Sequence, residues 1–560
     1  MAKISFFALG GQDENGKNSY VLEIDNSIFL INTGAKIPLS NSLGIDTVIP
    51  DFTYIEENYS RVKGIFLTDV KNESFSALPW LIMKVPKIKI YCSSFTKALI
   101  LERLTKYKIS NNQYEIVSLT KKIKIDDDVF VKPIQLAGSI PGIYGYNFET
   151  EDGLILFLSN FIVGNLGIYG NTNLNYLKKS LESSKPILMA MIDSTRANYP
   201  GKTIDKIFAK KFLEKTFLTT KSTSRIIVGA YDEEMLSIQE ILDLAYKYKR
   251  KVAVYGRNYD NLLEMNQRLA QKQNLEIHYP EFFDFWQANK IDNSVILITS
   301  TPERIYQRFF RILEKDDVFF KLKKTDSVIM LAPPINGMEV LHSRVLDEIA
   351  KVAKQLVDIT ETQFYRTRPS EEDIFEVLKA LKPKFFIPIQ GLYRYLVVAG
   401  KTAERAGINR ENIIILQNRK VAFFLDGQLI SQKHSIKNAG EVIVDGFGVG
   451  DISTEVIKER EALSRDGTIV VCALLDTKSK RLISELIINS YGILTKENKE
   501  KVSKIIHEVV YTHFSAVSKT RLSDNQVKEV QEKIQKSIKR KIFKAIDKEP
   551  VIIVAFYENY

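Results

Sequence analysis

The chain has 560 residues, more than one hydrophobic core can organise, so roughly two to four domains are expected. Hydrophobic residues make up 45% and charged residues 26%, the balance of an ordinary globular protein and not of a disordered or fibrous one. A net charge of +11 favours acidic partners, while only two cysteines, Cys92 and Cys472, exclude a disulfide framework and fit a reducing cytosol.

In chain order, MAKISFFALGGQDENG opens with an apolar stretch too brief for a signal peptide. Later apolar runs, such as 154–158 and 551–556, are too short to span a bilayer, so a soluble, cytoplasmic protein with no membrane partner is expected. Short apolar strands at 4–9, 20–24, 28–32, 64–68, 88–92 and 154–158, broken by Gly, Asn and Asp turns, alternate with helices such as 94–107. That mixture predicts a layered α/β domain. Near residue 205 the texture changes. Strand 226–230, amphipathic helix 233–249, strand 252–255 and helix 262–273 carry the signature of a parallel sheet, in a unit ending near 360.

Ser370-Glu-Glu-Asp then opens a helix, with Ser370 as N-cap and acidic residues in the first turn. Ile374, Phe375, Val377, Leu378 and Leu381 supply its apolar face, Pro383 ends it, and strand 384–390 follows. A Gly-punctuated connection over 439–450 leads into a last unit. Strands near 468–475 and 482–488, two helices and a closing strand at 551–556 are expected there. The second helix carries Val527, Val530, Ile534, Ile538, Ile542 and Ile546 at helical spacing, a stripe suited to the unit's own core or to an oligomer interface. Lys533, Lys536, Lys539, Arg540, Lys541 and Lys544 on that helix, like Lys321, Lys323 and Lys324, suit a solvated face or contact with RNA.

The stretch GIFLTDVKNESFSALPWL, residues 64–81, runs from a buried strand into a loop holding Asp69, Lys71, Glu73 and Ser74. The five histidines, His278, His342, His434, His507 and His513, form no close-spaced pair, so a multi-histidine metal site would have to be assembled from distant pieces. Around that loop the sequence becomes recognisable. ALGGQDENGKNSYVLE, LGIDTVIPDFTYI, RVKGIFLT, ALPWL, DSTRANYPG, LKPKFFIPIQGLYR and VDGFGVGDI follow one another in an order and at separations that together are specific, though each alone is weak. Over nearly its whole length the chain resembles the ribonuclease J family. The resemblance implies a metallo-β-lactamase αββα sandwich, an inserted β-CASP α/β domain and a small C-terminal α/β domain. The expected boundaries are 1–205 and 361–430 for the two parts of the sandwich, 206–360 for the insertion, 431–448 for a linker and 449–560 for an oligomerisation-type domain.

The family's chemistry, as the resemblance implies it, needs two divalent metals, usually zinc, holding a hydroxide that attacks a phosphodiester. The ligand positions are lost one after another. The family's H-x-H-x-D-H reads Asp69-Val-Lys71-Asn-Glu73-Ser74, and further ligand positions read Asn32, Gly138, Asn160 and Gln390. The substrate-side His-x-Ser-Gly-His reads Phe364-Tyr-Arg366-Thr-Arg368, with Ser370 surviving beyond it, so Arg366, Arg368 and Ser370 are candidates for RNA or phosphate contact. Asp69, Glu73 and the retained Asp193 could in principle take magnesium or manganese, but the ammonium of Lys71 would repel a dication; Lys71 is expected to occupy the space and partly neutralise the acids. No catalytic residue, metal ligand or cofactor is therefore assigned.

The function expected is that of an inactive subunit partnering an active ribonuclease J paralogue, or itself as a homodimer, in RNA processing or decay, with RNA as a further partner. The alternatives are a metal-dependent endo- or 5′-exonuclease with an unorthodox site, and an RNA- or ribosome-associated scaffold.

Overall fold

The computed structural model describes residues 2–36, 45, 47–126, 128–181, 185–207, 209–302, 304–359, 367–437, 439–445, 448–449, 454–476, 482–493, 496–516 and 524–559. Two compact units emerge, the first running to Val442 and the second starting at Ile443.

In the first unit, two large sheets face each other. Strands Lys3–Gly10, Ser19–Ile24, Ser27–Ile31, Val62–Phe66, Ile88–Cys92 and Tyr114–Ser118 belong to an eight-stranded sheet. Ile123–Asp126, Val129–Leu136, Ile143–Thr150, Gly153–Leu158 and Ile187–Asp193 belong to a six-stranded one. Phe6, Tyr20, Phe29 and Phe66 from the larger sheet meet Tyr146, Phe148, Phe157 and Met191 from the smaller in one core. The smaller sheet is covered on its other face too: Leu156, Leu158 and Ile192 pack with Leu177, Ile374, Val377, Leu378 and Ala399 from helices Leu174–Leu181, Glu371–Leu381 and Tyr393–Arg405. Burial on both faces explains why Gly153–Leu158, GLILFL, is continuously apolar instead of alternating. Helix Ser94–Lys106 packs along strand Tyr114–Ser118 of the larger sheet.

Between strand Ile187–Asp193 and helix Glu371–Leu381 the chain builds a separate parallel sheet. Its strand order is Lys251–Tyr255, Ser294–Ser300, Ile226–Tyr231, Ser327–Leu331, Gln355–Asp358. The chain then comes home. Phe385–Ile389 pairs in parallel with Ile187–Asp193, and Ala422–Leu425 pairs antiparallel with Lys3–Gly10, so the returning segment completes both sheets of the sandwich. This is the αββα sandwich with an inserted α/β domain that the sequence predicts.

The second unit has a three-stranded sheet, with Thr468–Asp476 between Ile487–Tyr491 and Val551–Asn559, and helices Thr454–Asp466, Lys496–Ala516 and Asp524–Ile546. Ile534, Ile538 and Ile542 are fully buried against Val502, Ile506 and Val510, so the isoleucine stripe is this unit's own core. The expected strand at 482–488 lies later, at Ile487–Tyr491. Leu482 makes only an isolated bridge to Leu475, and the Ser484 hydroxyl accepts the Leu474 N–H in place of a ladder partner. Of the expected linker and its VDGFGVGDI motif, residues 438, 446–447 and 450–452 lie outside the described residues.

Candidate functional site

Strand Val62–Phe66 ends at the loop that carries Thr68, Asp69 and Lys71, and the chain then turns into the short helix Asn72–Phe75. Asp69 is buried at 1% exposure, where an unpartnered carboxylate would be costly. It is fully partnered. Its Oδ2 accepts from Thr68 Oγ1 at 2.7 Å, Asn160 Nδ2 at 2.7 Å and Ser74 Oγ at 3.2 Å, and its Oδ1 accepts the Lys71 N–H at 2.8 Å. Asn32 completes the nest, with its amide bonded both ways to Thr68 at 3.0 Å.

Two ion pairs lie above this nest. The Lys71 Nζ reaches Glu234 Oε1 at 3.0 Å, in a pair whose side chains are only 3% and 10% exposed. The neighbouring Glu233 Oε1 accepts the Asn72 N–H at 2.7 Å. Both glutamates follow strand Ile226–Tyr231 of the inserted domain, so these contacts join the two domains. The second pair centres on Arg368, whose guanidinium contacts Glu73 Oε1 and, at 3.4 Å, Asp193 Oδ2. Asp193 is itself fixed by the Asn160 N–H at 3.0 Å and by Thr195 N–H and hydroxyl at 2.9 and 2.7 Å.

The electrostatics follow the pairing. Burial alone would raise the Glu73 carboxyl, but the charges of Arg368 and then Lys71 outweigh it and hold Glu73 below its ordinary value. Burial would likewise release the proton of Arg368, yet Glu73 and Asp193 hold its guanidinium more firmly charged than usual. Glu233 goes the other way: burial and the nearby Asp232 push it well up, against the opposing charge of Lys71. A cleft of about 170 Å³ lies over these groups, lined among others by Lys36, Lys71, Glu73, Arg196, Glu234 and Arg368. Among the described residues no histidine lines it.

Asn32, Asn160, Gln390 and Gly138, also singled out in the sequence, lie around the same loop or beside Asp193. Asn32, Asn160 and Gln390 all have left-handed backbones, with φ of 64°, 54° and 64°, a conformation unusual for a residue such as Gln. Both amide atoms of Gln390 and the Oδ1 of Asn160 are buried without a hydrogen-bond partner among the described residues. Gly138 has no room for a side chain, because a Cβ there would lie 2.8 Å from the Asn160 carbonyl oxygen and 2.2 Å from Ile143 Cδ1.

Ser370 is not open to the cleft. It is fully buried at the start of helix Glu371–Leu381, its hydroxyl bonded to Thr203 at 2.8 Å and Asp373 at 3.1 Å, as an N-cap residue. Arg366 lies outside the described residues. Lys71 lines the cleft and its charge acts on Glu73, as expected, but its direct partner is Glu234 across the domain boundary, and the cation shared by Glu73 and Asp193 is Arg368. Glu233 and Glu234 went unread as site residues; their one sequence signal was a pair of acids directly after a strand of a parallel sheet, at the edge where such sheets place functional groups.

Residues 223–349 match the model of the ribonuclease J β-CASP domain, and residues 455–559 that of the ribonuclease J C-terminal domain. A protein of Bacillus subtilis named Ribonuclease J2 is 27% identical, over 99% of this chain and 98% of its own. The chain belongs to the ribonuclease J family. A Mycoplasma genitalium protein named Uncharacterized protein MG423 is 29% identical over 99% of both chains. A solved structure of a protein of unknown function from Enterococcus faecalis covers 75% of this chain at a TM-score of 0.50 and 12% identity, a likeness of fold alone.

The two divalent metals implied by ribonuclease J membership do not fit the donors present. Asp69 is saturated by four neutral donors, and Glu73 and Asp193 share a guanidinium. Positions 32, 160 and 390 offer amides, and position 138 offers nothing. Among the described residues no group of three or more His, Cys, Asp or Glu side chains is placed to hold a metal ion. A dication here would have to displace both Arg368 and Lys71.

Proposed function

We propose that this ribonuclease J family member is a non-catalytic subunit that assembles with an active ribonuclease J paralogue in RNA processing or decay. The observation that carries the reading is the occupation of the family's metal loop by the Lys71–Glu234 and Arg368–Glu73–Asp193 ion pairs. The cleft, at about 170 Å³, is also small beside the roughly 300–1,000 Å³ of typical ligand pockets, and its ion pairs would have to open to admit a nucleotide.

Assembly is supported by the C-terminal sheet. Leu474, Ile487, Tyr491, Ile553 and Tyr557 share one of its faces, by register, and are 39% to 70% exposed. Solvent-facing apolar patches of that kind mark interaction surfaces. Lys533, Lys536, Arg540 and Lys544 stand exposed on helix Asp524–Ile546 and favour an RNA backbone as a further partner. No helix among the described residues is long and apolar enough to cross a membrane, which accords with a cytoplasmic role.

A nuclease assay on 5′-labelled RNA tests the proposal, run with manganese, magnesium or zinc, on this chain alone and with the paralogue present. No cleavage by the chain alone and altered cleavage in the mixture are expected. Metal-dependent turnover by the pure chain would overturn it in favour of an unorthodox nuclease.

A further inference from the structure

Helix Asp524–Ile546 of the second unit carries its charge unevenly. From Lys533 to Ile546 it has six Lys or Arg residues and no Asp or Glu. Two of the six are paired from outside the helix, Lys539 with Glu549 at 3.3 Å and Lys541 with Glu508 at 2.8 Å. Lys533, Lys536, Arg540 and Lys544 are exposed and have no ion-pair partner among the described residues. They stand three or four residues apart, so they form one stripe about 16 Å long with a cation about every 4.5–6 Å. That stripe costs the helix stability, because Lys536–Arg540 and Arg540–Lys544 are like charges at i,i+4. Attraction to the negative C-terminal end of the helix accounts for Lys544, in the last turn, and falls off before Lys533 and Lys536. A basic helix lying on an anionic membrane needs a free apolar face, and here Val530, Ile534, Ile538 and Ile542 are buried in the unit's own core. One ring is left outside. Phe543, 45% exposed, follows Arg540 by three residues and adjoins Lys544 on the same stripe.

We propose that this stripe is a binding site for single-stranded RNA, with Lys533, Lys536, Arg540 and Lys544 along the phosphates and Phe543 stacked on an unpaired base. The choice of RNA rests on the functional reading above; the strandedness and the stacking residue come from the helix itself. Regularly spaced cations hold a polyanion without reading its sequence. An exposed ring favours a single strand, because a duplex keeps its base faces stacked inside. The stripe uses no residue of the metal-loop pocket, so the chain holds RNA whether or not it cuts it.

The test is fluorescence anisotropy of a labelled, unstructured RNA of about 12 nucleotides, titrated with the full chain at several salt concentrations. Each phosphate contact to a single strand adds about 0.7 to the slope of log affinity against log salt, so Lys536→Gln/Arg540→Gln should flatten that slope by about 1.4. Phe543→Ala should weaken binding at least about fivefold and leave the slope unchanged. The double variant removes like-charge repulsion, so it should melt no lower than the wild type, which separates lost contacts from lost folding. A slope the double variant leaves unchanged, or a matched RNA duplex bound as tightly as the single strand, would overturn the proposal. Displacement of the RNA by polyglutamate as effectively as by unlabelled RNA would also overturn it, assigning the stripe to an acidic protein. The chain is used alone and without metal, so failure here leaves the paralogue-subunit reading standing, and unaltered cleavage in the mixture would sink that reading without touching this one.

Discussion

Replacing Lys71 by Met removes an ammonium that reaches the inserted domain while keeping much of the side-chain volume. The pair it breaks is 3.0 Å long and almost entirely buried. At an effective dielectric of about 20 the Coulomb attraction at that distance is roughly 5 kcal/mol. Deleting one partner of such a pair costs about 3–5 kcal/mol, because the other charge stays buried. Glu234 would keep only the Thr367 hydroxyl, 3.3 Å from Oε1, since its Oε2 has no partner among the described residues. The chain's two tryptophans allow a direct assay: Trp80 lies buried in helix Leu78–Lys84 of the sandwich, and Trp286 lies 65% exposed in the inserted domain. Urea unfolding of the Trp80→Phe and Trp286→Phe variants should give coincident transitions with Lys71 present and separated ones with Lys71→Met. The Lys71→Met/Glu234→Met double variant should recover to within about 1 kcal/mol of wild type, because an apolar replacement of both partners is often near neutral. A loss below about 1 kcal/mol for Lys71→Met, or strictly additive single losses, would refute the claim that this pair joins the domains.

Stability should fall as pH rises from about 5 to about 8, because burial raises the Glu240 carboxyl to about 7 against the Ala209 and Lys210 N–H groups it accepts. The raised value means the folded state holds the proton more tightly, so this contribution is complete below the ordinary carboxyl range and lost through about pH 7; Glu240→Gln should flatten that slope in pH-dependent urea titrations. Gly138→Ala should cost about 1–3 kcal/mol by pressing a Cβ against the Asn160 carbonyl, and an unchanged melting temperature would refute the crowding.

The fold was largely legible because its strands are written as short apolar runs between turn residues, and the insertion as alternating strand and helix. Strand Ile226–Tyr231 and helix Glu371–Leu381 fall where the pattern predicts them. The candidate site was legible as a set of motif positions. Asn32, Asp69, Lys71, Glu73, Ser74, Gly138, Asn160 and Gln390 converge from separate segments, as ordered motifs imply. The partners each residue takes were not legible. Arg368 read as a phosphate contact because a sequence shows a cation's type and not the carboxylates it meets; Glu73 lies 295 residues away along the chain. Glu234 was hidden by a helix boundary. The periodicity suggests a helix from 233, but it begins at Met235, which leaves both glutamates in the connection that faces the cleft.

A left-handed backbone at a residue with a side chain costs on the order of 1–3 kcal/mol, so each one buried in a pocket calls for an offset. Asn32, Asn160 and Gln390 all have that conformation. Two of the three are asparagine, the residue that adopts it most readily after glycine, and each uses its amide on the same nest: Asn32 on Thr68, Asn160 on Asp69 and Ser74. The network of neutral donors around Asp69 thus holds the loop's shape with hydrogen bonds. Gln390 gains no such return. Its backbone N–H lies 3.1 Å from the Tyr20 hydroxyl, which itself donates to the Gly11 carbonyl, so its position is fixed by the core of the sandwich and not by its side chain. The strained backbone at position 390 is thus a property of the fold, whereas the left-handed turns at 32 and 160 are held by side-chain hydrogen bonds within the pocket.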